Sequence, residues 1–166
     1  MSEQNIIVDI HGYWRETEKI NLHHHGGIFF VYEAHHYLMD NTIDLLRLLF
    51  IEEVEDLQTN FRNQERFGHL KEFLSPTNEL CFATAFVAEQ FRTRATLAYI
   101  LTHLPPANTN RLSHFPYETT TIISTGKTAL LQPVITIKKT NGNHAQVPLS
   151  FQSGKIIPVR GIMMGR

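Results

Sequence analysis

The chain has one cysteine, one tryptophan and no long apolar run, and each scarcity closes off a class of protein. A lone thiol, Cys81, can form neither an internal disulfide nor a cysteine-based zinc site. No apolar stretch approaches the ~20 residues that cross a bilayer as a helix, so no membrane partner is expected. The opening residues Met1-Ser2-Glu3-Gln4-Asn5 have neither a basic flank nor an apolar core. A secretory signal is therefore not expected, and a reducing cytoplasm is the expected compartment. Cys81 lies in the run Leu80-Cys81-Phe82-Ala83, which points to a buried, inert thiol rather than a nucleophile.

What is present is a chain of 166 residues, enough for one domain with a core that needs no staples. Its net charge of −1 hides an asymmetry. Residues 1–80 carry 6 Lys/Arg against 14 Asp/Glu, a balance of −8, and residues 81–166 carry 9 against 2, a balance of +7. Two readings stay open: attraction between the halves of one domain, or a basic surface facing nucleic acid or an acidic partner.

Hydrophobic patterning predicts an α+β chain. Ile6–Ile10 reads as a short strand, with Trp14 as an anchoring aromatic, and 27–32 as a buried strand after a Gly-Gly break. Glu33–Arg47 reads as an insertion with a short helical piece around Thr42–Leu48, and Leu48–Ile51 as a second strand. A helix is expected from Val54, with Glu55 and Asp56 in its first turn, and another over Phe67–Leu74. Leu80–Val87 reads as a strand. Glu89–His103 reads as a helix with a stripe at Ala95, Leu97, Ala98, Leu101 and Leu104, stopped by Pro105-Pro106. The β-branched runs Thr119–Ser124 and Val134–Ile137 are strands, and Asn141-Gly142 is a hairpin turn signal.

The two apolar strands Gly27-Ile28-Phe29 and Phe50-Ile51-Glu52, with the helical run after them, resemble the two-part signature of the GIY-YIG nuclease superfamily. The resemblance covers roughly residues 20–110 and extends arguably to Leu131. It is closest to a branch of uncharacterised bacterial proteins with a Pro-Pro-x-Asn turn, here Pro105-Pro106-Ala107-Asn108. It implies a small antiparallel sheet flanked by helices over residues 1–131, and a β-hairpin with an apolar tail over 132–166. In that family two tyrosines, an arginine and a metal-binding glutamate act together on a phosphodiester. The matching positions here are Phe29 and Phe50 for the tyrosines, Glu52 for a glycine, Asn60 for the arginine, Gln64 for a histidine and Thr96 for the glutamate. Asn108 alone keeps its expected type.

Phenylalanine cannot relay a proton, threonine is a poor sole Mg²⁺ ligand, and asparagine carries no charge. The resemblance thus implies a catalytically inactive domain without metal or cofactor, serving as a binding or assembly module. Its partner would be a protein, met through the apolar tail Ile156–Met164, or DNA or RNA, met through Arg92, Arg94, Arg111, Lys127, Lys138 and Lys139. The enzyme alternative is a divergent Mg²⁺-dependent endonuclease using Glu52 or Glu53 with one of the histidines His23–His25, His35 or His36. Exposed loop histidines are the simpler reading of those clusters. Helix capping is the simpler reading of the acidic run Glu52–Asp56, and an inter-strand turn that of Ser124–Thr128.

Overall fold

The computed structural model of the protein describes residues 2–18, 20–108, 114–140 and 159–162, with the last stretch and Gln64 described as backbone. Among these residues the strands are β1 (Gln4–Arg15), β2 (Gly27–Tyr37), β3 (Thr42–Val54), β4 (Glu79–Phe86), β5 (Thr120–Gly126), β6 (Val134–Ile137) and β7 (Val159–Ile162). The helices are α1 (Leu57–Arg62), a 3-10 segment (Gln64–Phe73) and α2 (Glu89–His103). None of the described helices is long and apolar enough to cross a membrane.

The chain is α+β, built on one mixed sheet in the order β6-β5-β1-β4-β2-β3-β7. The β1–β5 pair is parallel, from Gln4↔Thr120 to Ile10↔Gly126, and the other pairs are antiparallel. β2 is central and buried on both sides from Gly27 to Ala34, which is why its sequence is a continuous apolar run. β1 is half-covered and alternates, with Ile6, Val8 and Ile10 buried and Ile7 exposed.

Alternation along the strands builds two cores. On the inner face Ile28, Phe30, Cys81 and Ala83 pack under Ala95, Ala98 and Tyr99 of α2. On the outer face Phe29, Val31 and Phe82 pack under Leu57 and Phe61 of α1 and Phe67 and Leu70 of the 3-10 segment. Asp56 starts α1 as its N-cap, accepting from the Thr59 amide at 2.8 Å, rather than standing in the first turn. Trp14 meets the Phe61 ring edge-on at 6.1 Å, the anchoring role expected of it.

Two local expectations need correction. Glu33–Arg47 is no insertion and contains no helix, because β2 and β3 continue as one long hairpin, with His36 opposite Ile43 and Tyr37 opposite Thr42. Asn41, at φ 51, closes its turn. The α2 stripe also ends sooner than expected. Leu104 is the left-handed C-cap at φ 49 and is 54 % exposed, while Tyr99 and Thr96 are buried instead.

The described parts of 132–166 are strands of the same sheet as 1–131: β6 pairs with β5, and β7 with Thr42–Leu45 of β3. The Asn141-Gly142 turn and the remainder of the apolar tail lie outside the described residues.

Candidate functional site

Phe29 stands on the central strand with its side chain wholly buried. Its ring stacks parallel to Phe61 at 6.4 Å and meets Phe67 at 5.8 Å. Phe50, half-buried on the same face, meets the His69 ring edge-on at 6.0 Å. Glu52, opposite Phe29 in register, takes a hydrogen bond from the Arg66 guanidinium, which also donates to Asn60 Oδ1. Asn60 in turn donates through Nδ2 to the Asp56 carbonyl at 2.8 Å.

The guanidinium that bonds both Asn60 and Glu52 belongs to Arg66, a residue that sequence reasoning passed over. Arg62, the nearer arginine, is exposed. The available signal was the break between α1 and the 3-10 segment at Asn63, which redirects the chain so that Arg66 lies over the Phe67 ring at 4.8 Å and beside Glu52. The Gln64 side chain lies outside the described residues.

Thr96 is on α2, across the sheet from Phe29, Phe50, Glu52 and Asn60, and its buried Oγ1 has no hydrogen-bond partner. The family positions therefore do not converge here. Asn108 does something else again. Its Oδ1 accepts from the Ile51 amide at 2.9 Å and its Nδ2 donates to the Ile51 carbonyl at 2.8 Å, so one side chain satisfies both backbone groups of Ile51.

The acidic run is paired residue by residue. Glu53 accepts from the Thr93 hydroxyl at 2.9 Å, and Glu55 pairs with Arg92 at 2.8 Å. The Thr59 amide and the His24 ring beside Asp56 hold its carboxyl below the usual range. His23 and His25 have their rings 5.9 Å apart, while His36 bonds Asn41 at 3.2 Å. Among the described residues no three His, Cys, Asp or Glu side chains gather where they could hold a metal ion.

The five described basic candidates do not form one surface. Arg92 is buried against Gly26, where any Cβ would overlap the guanidinium, and donates through Nε to the Val87 carbonyl at 3.3 Å. Arg94 is a buried clamp: Nε donates to Thr120 Oγ1 at 2.6 Å, and Nη2 to the carbonyls of Glu118 at 2.8 Å and Ser2 at 3.2 Å. These two guanidiniums join elements of the fold. Lys127 lies 5.8 Å over the Tyr13 ring and Lys139 pairs with Glu118 at 3.1 Å. Lys138 is exposed, and Arg111 lies outside the described residues.

Other groups that could carry chemistry are held neutral. Burial pushes the Tyr13 and Tyr99 hydroxyls up to about 12 and raises the Cys81 thiol well out of the physiological range. Ser124 shares a 2.6 Å hydrogen bond with Tyr99, and Gly126 ends β5 in a turn, so Ser124–Thr128 is a connection rather than a phosphate loop. Comparisons with family models, with curated proteins and with solved structures return no match.

Proposed function

We propose that the chain is a GIY-YIG-like domain that has lost catalysis and works by binding protein. One observation carries the reading: the position that would bear the first tyrosine is a fully buried Phe29 inside an aromatic stack, with Thr96 on the far side of the sheet. A phosphodiester cannot reach a ring that no solvent reaches, and Glu52, opposite it in register, is already held by Arg66.

A protein partner fits better than nucleic acid. Neutralising a phosphate backbone needs several free cations on one surface. Arg92 and Arg94 are consumed inside the fold, and the acidic run Glu52–Asp56 borders the old phosphate site. By contrast Leu38 and Met39, at 77 % and 100 % exposed on the β2–β3 hairpin tip, are apolar surface of the kind partners cover.

Fluorescence anisotropy with labelled duplex DNA, single-stranded DNA and RNA, at low and physiological salt with Mg²⁺ present, tests this choice. The expected result is no saturable binding at physiological salt. Salt-sensitive binding to any of the three would overturn the protein reading in favour of a retired nuclease that still holds its substrate.

A further inference from the structure

The outer face of the sheet is helix-covered over β4, β2 and β3. Over β1, β5 and β6 nothing covers it among the described residues. Across that open part runs an apolar row in strict register, Ile7 opposite Ile123 and Ile123 opposite Val134. The three are 70 %, 38 % and 56 % exposed. A single exposed aliphatic side chain is ordinary, but three abreast on adjacent strands form a patch.

The rows beside it are neutral or internally paired. Thr121 and Thr136 bond each other at 3.1 Å, and Asp9 accepts from the Thr125 hydroxyl at 2.8 Å and pairs with His11 at 3.0 Å. One end of the face carries opposite charges on its two outer strands. Glu3 precedes β1 and Lys138 follows β6, and the pairings Gln4↔Thr120 and Thr120↔Ile137 bring both to the same end with β5 between them.

We propose that this face is a homodimer interface, occupied by the same face of a second copy about a two-fold axis along β5. Such an axis lays β1 of one protomer over β6 of the other. Ile123 then meets its own copy, Ile7 meets Val134 of the partner subunit, and Glu3 meets Lys138 of the partner subunit. The charge layout is self-complementary about this axis, as an isologous contact requires. Aligned packing of two flat β faces ~10 Å apart accommodates it.

The outer edge of β6, unpaired among the described residues, is not the proposed contact, since its four residues are preceded by Pro133 and followed by Lys138-Lys139, which blunt edge pairing. With strands ~4.8 Å apart, the seven residues of β5, the seven of β1 paired with them and the four of β6 outline roughly 300 Å². That is well below the ~800 Å² per partner of a standard interface, so the dimer is weak and transient.

Sedimentation velocity on the full chain from low to high micromolar concentration tests it. Wild-type mass rises from one to two protomers. Ile123→Glu sets two carboxylates on the axis and abolishes the rise, with circular dichroism and melting temperature unchanged because the side chain is exposed. Glu3→Lys moves the midpoint to roughly tenfold higher concentration, and adding Lys138→Glu restores it. A chain that stays monomeric throughout, or a dimer indifferent to Ile123→Glu, would overturn the proposal. Either result would leave the proposed loss of catalysis untouched.

Discussion

The two halves of the outer face begin alike and end differently. Over β4, β2 and β3 the outward residues are Phe29, Val31 and Phe82, and α1 with the 3-10 segment closes over them. Over β1, β5 and β6 they are Ile7, Ile123 and Val134 among threonines, and no described element closes over them. Both halves obey the same two-residue alternation; what differs is the size of the side chains and the presence of a lid. The covered half is where the resemblance puts chemistry, and it is built as core. The open half, which carries none of the positions matched to catalytic groups, leaves its apolar row exposed among the described residues.

Substitutions at matched positions sharpen that contrast. Phe29→Ala removes a wholly buried ring and is expected to lower stability by about 3–5 kcal/mol in urea unfolding. Ile123→Ala should stay within about 0.5 kcal/mol in dilute protein. Equal losses at the two positions would erase the distinction. Phe29→Tyr, which restores the family's hydroxyl, should still cost about 1–3 kcal/mol for an unsatisfied buried group and recover no cleavage.

The inner face joins the halves, because Tyr99 of α2 meets Phe30 of β2 edge-on at 5.0 Å and bonds Ser124 of β5. His103 stacks on Tyr99 at 6.2 Å, and burial pushes its pKa down to about 4 from 6.5. The unfolded chain therefore takes up the proton first as pH falls. Its contribution is complete above about pH 6.5 and is lost on acidification towards pH 4, amounting to at most ~3 kcal/mol. Urea midpoints at neutral and mildly acid pH should fall more steeply for wild type than for His103→Leu.

Three smaller effects probe the attachments of the two halves. Arg94→Met strands the Glu118 and Ser2 carbonyls at the β1–β5 end and should cost about 2–3 kcal/mol. Asn108→Ala frees both backbone groups of Ile51 at the edge of the covered half and should cost about 1–2 kcal/mol. Glu52→Gln, breaking a partly exposed pair with Arg66, should change stability by less than about 1 kcal/mol.

Strands and helices with strong local signals were legible in the sequence. Glu89–His103 and Val134–Ile137 have the bounds expected of them, since Pro105-Pro106 and β-branching act locally. The long hairpin was not legible, because His35-His36-Tyr37 and the leucines after Thr42 suit either a helix or a strand until cross-strand partners decide. The burial of Arg92 and Arg94 was not legible for a different reason: it depends on Gly26 and on the carbonyls at 118–119, which are distant in the chain. Arg66 was missed because a change of helix type, invisible to counting by 3.6, sets its direction.

The most direct test of the account is a single-turnover cleavage assay, with protein in excess over end-labelled duplex DNA, single-stranded DNA and RNA, in Mg²⁺ and in Mn²⁺. The account predicts that every substrate stays intact to the level of a metal-free control. Metal-dependent cutting by wild type that disappears in Glu52→Ala would contradict it, and would make the Glu52–Arg66 pair part of a working active site.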